Sequence, residues 1–236
     1  MRSFIVLMMF VASFAYAGWS NYEEVRDLTL DADGIVRLSI NAGAGSMDVT
    51  GFEGLDTISV KATIIVPGED AEDALKIIAK RMTLSLQRRG NDAQLEASFD
   101  HGFMGFGANG YIVLEVSVPQ GLSVVIDDGS GSIDIIDIFG DVTIDDGSGS
   151  IDVKNVAHLK IDDGSGSIDV VNATGDVSIV DGSGSISIKH VQGSVTIDDG
   201  SGSIRVSDVE NDLIIIDDGS GSLSFSDVRG DVEQET

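Results

Sequence analysis

The sequence predicts an all-β protein, a single-stranded parallel β-solenoid (β-helix) with coils of about 18 residues, elaborated in its N-terminal part by one helix and a hairpin. Three observations predict it. A unit with apolar side chains at five fixed offsets recurs six times over residues 124–228. One copy reads Val142, Ile144, Ile151, Val153, Val156, and the next Leu159, Ile161, Ile168, Val170, Ala173. Each copy holds two short period-2 runs of β-branched residues, the pattern of strands and not of a helix. Between the runs stands Asp-Asp-Gly-Ser-Gly-Ser, whose glycines turn the chain while Asp and Ser bind the freed amides. So short a unit cannot bury its apolar face alone, and the copies must stack.

Residues 1–17 read as a cleaved export signal. Arg2 precedes an apolar run over residues 4–14, and Ala15-Tyr16-Ala17 is a small-x-small cleavage site before Gly18. The run is too short to span a membrane, and no later segment approaches the required length. The mature chain is therefore expected outside the cytoplasm: periplasmic, outer-membrane associated or secreted. Two parts follow, residues 18–122 and the regular repeats of 123–236.

Residues 18–26 carry weak signals and are read as a leader or cap. Leu38, Ile40, Met47, Val49 and Phe52 repeat the five-column spacing, with Asn41-Ala42-Gly43-Ala44-Gly45-Ser46 in place of the turn, so a diverged first coil is expected. Ile58, Val60, Ala62 and Ile64 alternate along a strand that Pro67-Gly68 ends. Residues 69–82 form the one helix: Ala71, Ala74, Leu75, Ile78 and Met82 share a face, acids gather at its start, and Lys80 and Arg81 stand at its end. A hairpin is expected over residues 83–87 and 93–99, then a strand over 111–118. The remaining copies open with Val124 and Ile126, Val177 and Ile179, Val195 and Ile197, and Ile214 and Ile216; the last closes with Leu223, Phe225 and Val228. Only the gap between copies varies in length. Glu233, Gln234 and Glu235 end the repeat in a polar tail read as half of a cap.

The first coil with Gly45-Ser46-Met47-Asp48-Val49, the acidic helix, the step Val118-Pro119-Gln120-Gly121 and the recurring Gly-Ser-Gly-Ser-Ile turns resemble the putative-adhesin family of bacterial extracytoplasmic β-solenoid domains of unknown function. The resemblance covers nearly the whole mature chain. It implies a fold and an envelope location, and no biochemical activity.

Charge narrows the function. With 40 acidic against 14 basic residues, the net charge of −26 opposes nucleic acid and anionic lipid. A protein or glycan partner at the cell envelope is expected, with self-association through the solenoid ends or through an apolar loop at Phe103, Met104 and Phe106. That loop is alternatively a cover for an open end. There is no cysteine, hence no disulfide and no lipid attached through one.

The sharpest candidate for chemistry is a column of aspartates, Asp127, Asp145, Asp162, Asp198 and Asp217, with Val180 interrupting it and a second aspartate following each. Stacked carboxylates repel, and two remedies are open. Rows of oxygen ligands suit Ca²⁺, or each Asp accepts hydrogen bonds from its own turn. The Gly-Gly-x-Gly-x-Asp calcium repeat is absent. No catalytic residues and no cofactor are expected. The turn serines repeat six times in equivalent settings, and His101, His158 and His190 are out of register as a triad. Gly105, Gly107 and Gly110 match a dinucleotide pattern but precede a strand, without the helix that gives it a mechanism. A polysaccharide-active enzyme is the third reading, weakened by the scarcity of basic residues to meet an acidic sugar. The resulting expectation is a non-catalytic exported scaffold or adhesin-like module presenting a repetitive acidic face, with a Ca²⁺-dependent structural or adhesion protein as the alternative.

Overall fold

Alternating β-branched residues make two-sided strands, and here every inward side chain meets its own column one coil away. The computed structural model describes the backbone of residues 8–10, and residues 21–100 and 110–235 in full. In chain order the elements are β1 (Met8–Phe10), β2 (Tyr22–Asp31), β3 (Arg37–Ala44), β4 (Met47–Phe52), β5 (Thr57–Val66), α1 (Ala71–Arg81), β6 (Met82–Arg89), β7 (Asp92–Phe99), β8 (Tyr111–Pro119), β9 (Ser123–Ser130) and β10 (Ile133–Ile138). The repeats continue as β11 (Val142–Asp146), β12 (Gly149–Val156), β13 (Leu159–Asp163), β14 (Gly166–Ala173), β15 (Val177–Asp181), β16 (Gly184–Val191), β17 (Val195–Asp199), β18 (Gly202–Val209), β19 (Leu213–Asp217), β20 (Ser222–Val228) and β21 (Val232–Gln234).

The fold is a parallel β-solenoid. Odd-numbered strands from β9 onward pair in parallel in one sheet and even-numbered strands from β10 in the other, so each coil contributes one strand to each. Coil length follows from register: Ile133 faces Ile151 after 18 residues, Ile151 faces Ile168 after 17, and Ile204 faces Leu223 after 19. Between the sheets lies one continuous core, including Ile144, Ile151, Val153, Val156, Ile161 and Ile168.

The diverged first coil is present, stacked on the first strong copy. Leu38 and Ile40 lie against Val124 and Ile126, and Met47 and Val49 against Ile133 and Ile135. From β4 the chain climbs away from the repeats through β5, α1 and β6, then returns through β7 and β8. These last two lie parallel to β3 and β4 and stack on them as a further coil would. β5 and β6 run antiparallel to β8 and β7, β2 lies antiparallel outside β5, and β1 adds antiparallel to β2. Because β5 belongs to one sheet and β6 to the other, α1 crosses between them and closes this end over Ala74 and Ile78.

Several expectations need correction. Residues 22–31, read as part leader, form a ten-residue strand. On α1, Leu75 faces solvent instead of the core, and Met82 opens β6. Phe52 is exposed although it stands at the fifth-column spacing. In the six strong copies the residue before that column, from Asp137 to Asp227, has positive φ, which swings the next side chain inward. β4 has no such residue, so plain alternation buries Met47, Val49 and Gly51 and leaves Phe52 outside. In the last copy Leu213 and Ile215, not Ile214 and Ile216, enter the core. Val195 faces Leu213 and Ile197 faces Ile215, and a shift then sets Asp198 against Asp217, so the extra residue is absorbed inside a strand. The tail expected to cap is a final rung, β21, paired with β19 and exposed. Phe103, Met104, Phe106, His101 and the Gly105–Gly107 match lie outside the described residues.

At the helix start, Asp70 Oδ1 accepts from the backbone N–H groups of Glu72 and Asp73, both at 3.0 Å. Asp70→Ala removes this cap and is expected to cost about 1 kcal/mol, read from the unfolding midpoint.

Candidate functional site

Each regular turn is built by one aspartate looking in and one looking out. Counting along β11 from Val142, alternation puts Ile144 and Asp146 inside and Thr143 and Asp145 outside, and burial follows that count. The candidates Asp127, Asp145, Asp162, Asp198 and Asp217 are therefore the outward members. Register brings Asp127, Asp145 and Asp162 into one row on the outer face, then Val180, Asp198 and Asp217. A second acidic row, which sequence reasoning did not single out, lies on the other sheet, where Asp48, Asp134, Asp152 and Asp169 stand side by side. Burial first, and then Asp134 and Asp169, raise the Asp152 carboxyl above its ordinary range. Neighbouring charges at a strand spacing of about 4.8 Å repel by about 0.9 kcal/mol in water, and about 3.5 kcal/mol at an effective dielectric of 20.

The inward members form the most unusual feature of the molecule. Asp128, Asp146, Asp163, Asp181 and Asp199 stack in register, each 0 to 3% exposed. In four of them Oδ1 accepts the amide two residues on, from Ser148 at 3.3 Å, Ser165 at 3.1 Å, Ser183 at 3.0 Å and Ser201 at 3.0 Å. The self-satisfied turn expected from the sequence is thus real, for one oxygen. Oδ2 of all five, and Oδ1 of Asp128 too, are buried without a partner. Burial, then the neighbouring Asp146, push Asp128 up to about 7. Burial is also the first cause that pushes Asp146 and Asp181 up to about 6 and raises Asp163 and Asp199. Asp128 lies at the capped end, where its column continues as Ala42 and Ala97. Asp218, at the shifted last turn, is only half-buried and meets Gln234 Nε2 at 3.4 Å.

At the opposite corner the positive-φ residues make their own row: Asp137, Asn155, Asn172, His190, Asp208 and Asp227. Asn, Asp and His tolerate this conformation better than other side-chain-bearing residues. Asn155 Nδ2 donates to Asp137 Oδ1 at 2.7 Å, Asn172 Nδ2 to Asn155 Oδ1 at 2.9 Å, and His190 Nδ1 lies 3.2 Å from Asp208 Oδ2. His158 Nδ1 accepts from the Asp176 amide at 3.0 Å. Both described histidines are held in corner contacts. Among the described residues no three acidic or histidine side chains converge to hold a metal ion. The outer acids form rows, not a cage.

No family model matches the chain, and no curated protein matches it. Solved structures do. The chain is similar to structures described as putative adhesins. A putative cell adhesion protein from Clostridium sporogenes is 13% identical, over 92% of this chain and 100% of that one, with a TM-score of 0.42. A putative lipid binding protein from Parabacteroides distasonis is 15% identical over 91% and 97%, with a TM-score of 0.43, and a putative adhesin from Parabacteroides merdae 13% over 91% and 96%, with 0.32.

Proposed function

We propose that this chain is a non-catalytic, exported binding module, a rigid stack whose outer faces present acidic rows to a basic segment of a protein or an amine-bearing glycan at the cell envelope. The observation that supports the reading is register. Asp127, Asp145 and Asp162 on one sheet, and Asp48, Asp134, Asp152 and Asp169 on the other, repeat at one strand spacing on a scaffold whose hydrogen bonds fix that spacing. Six near-equivalent turns suit avidity for a repetitive partner better than a single reaction centre. The net charge of −26 adds long-range attraction for a cationic partner. Removal of the leader at Ala17 belongs to the same reading. No helix among the described residues is long and apolar enough to cross a membrane.

Binding of a fluorescent oligolysine peptide tests the proposal, measured against salt for the wild type and two triple variants. One variant carries Asp127→Asn, Asp145→Asn and Asp162→Asn; the other removes the same charge at Glu23, Glu69 and Glu72. The row variant is expected to weaken binding several-fold more than the scattered one. Equal loss in both would reduce the effect to net charge and overturn the role of the rows. Loss of peptide binding on adding Ca²⁺ beyond that of an ionic-strength control would favour the cation-binding alternative.

A further inference from the structure

Five carboxyl groups lie inside the solenoid with no base beside them. Asp128, Asp146, Asp163, Asp181 and Asp199 are in register, and an unpartnered Oδ2 of each faces the interior near the turns. The turn amides already occupy Oδ1 in four of them, so the Oδ2 atoms are the polar surface that an occupant must satisfy. The charged groups acting on the column are all acidic. They are its own members, Asp127, Asp145, Asp162 and Asp198 on the same strands, and Asp217 and Asp218 at the last turn. The strands leaving each turn bring buried isoleucine inward: Ile133, Ile151, Ile168, Ile186 and Ile204.

Cations of ordinary size need several converging ligands, and the described residues show no such convergence here. A proton needs only one. Added to a buried Oδ2, it removes one charge of a repelling in-register pair without any converging set of ligands, and so relieves the cost of burying that oxygen unpartnered. We propose that the interior aspartates are a proton-loaded column, in which some carboxyls are protonated while their neighbours one coil away stay ionised, and whose loading with protons tightens the stack. This stands whatever binds the outer faces.

The direction of the pH effect follows from the elevated carboxyls, about 7 for Asp128 and about 6 for Asp146 and Asp181. In the unfolded chain these groups titrate near 3.9. The folded state therefore holds protons that the unfolded state has released. The stability they contribute is fully present below about pH 4 and is lost as the pH rises through about 6 to 7.

Two measurements on the whole protein test this. Infrared spectroscopy of the wild type should show protonated carboxyl groups persisting at about pH 6, well above the ordinary aspartate range. Thermal melts should show the midpoint falling by several degrees between about pH 5 and about pH 8. Asp163→Asn with Asp181→Asn keeps the Oδ1 acceptors, supplies fixed N–H donors, and is expected to flatten that slope. Asp145→Asn with Asp162→Asn on the outer face is expected to leave it. Equal flattening by both pairs would assign the slope to surface repulsion and overturn the proposal. So would the absence of a protonated carboxyl signal at about pH 6, a result that does not depend on any variant folding. Restoration of the midpoint at high pH by Ca²⁺ that persists in the Asp145→Asn, Asp162→Asn variant, where the outer row is neutralised, would put a metal in place of the proton and equally overturn it.

Discussion

Gly166→Ala is expected to abolish folding of the solenoid, giving insoluble protein or a soluble fraction without cooperative melting. Gly166 has φ of 153°, a region that L side chains avoid, and an added Cβ would be driven into the carbonyl oxygen of Gly149 directly above it. The backbone cannot step aside. Gly166 N–H donates to Ser183 O and Gly149 N–H to Ser165 O, both at 3.0 Å, so moving the turn breaks bonds to the coils on either side. The same collision recurs at Gly131, Gly149, Gly184 and Gly202, each against the glycine one coil earlier. Turn stacking, not low sequence complexity, explains why the pattern repeats. Backbone strain of about 1 to 3 kcal/mol plus broken ladder bonds consumes much of the roughly 5 to 15 kcal/mol that a domain has. Gly90→Ala is the control. Its φ is 67°, but its Cβ would meet nothing within 4 Å, and a loss of about 1 kcal/mol is expected. A Gly166→Ala protein melting as close to wild type as Gly90→Ala would refute the stacking argument.

The solenoid was legible because columns of identical offset leave few other ways to bury six copies of one face. Legibility failed where one residue changes the phase. Between Ile135 and Ile138, a positive-φ Asp137 resets which side chain points inward, and nothing in the apolar spacing announces that Phe52 lacks the device. Asp, Asn or His one residue before the fifth column was the available signal. In the last copy, counting back from the glycine turn gave Ile214 and Ile216, whereas Leu213 and Ile215 keep the stack; a bulge is cheaper here than exposing both. The coil made by β7 and β8 is not legible in the spacing, because the sequence between its two strands is much longer than Asp-Asp-Gly-Ser-Gly-Ser, although Leu95 and Leu114 stack on Ile40 and Met47 as any repeat would. At the candidate site both aspartates of each turn were visible, and period-2 counting from Val142 was enough to tell the inner from the outer. The burial of unpartnered oxygens was not readable, since it depends on which coil lies above.

A cavity in a middle coil should unravel the stack from one side. Ile186 is 1% exposed and sits between Ile168 and Ile204. Ile186→Ala is expected to cost about 2 to 5 kcal/mol, as deletions of buried aliphatic side chains do. In a quasi-one-dimensional array each coil is held by its two neighbours, so the loss is felt at the interfaces beside the cavity. The two ends are not equivalent. Toward the N-terminal part lie α1 and the antiparallel strands β2, β5 and β6, with Ile58, Ile64 and Ala74 fully buried. Toward the other end, the core columns finish at Phe225, 46% exposed, with Leu223 and Val228 only half-buried. Hydrogen exchange in Ile186→Ala is therefore expected to accelerate most in β17 to β20 and least in β2 to β8. Ile126→Ala, made beside the capped end, should spread its effect over both directions because the intact repeats below it still support one another. Uniform acceleration in both variants would mean that the coils unfold as one unit, and that closing one end of this solenoid adds nothing to the local stability of the coils beneath it.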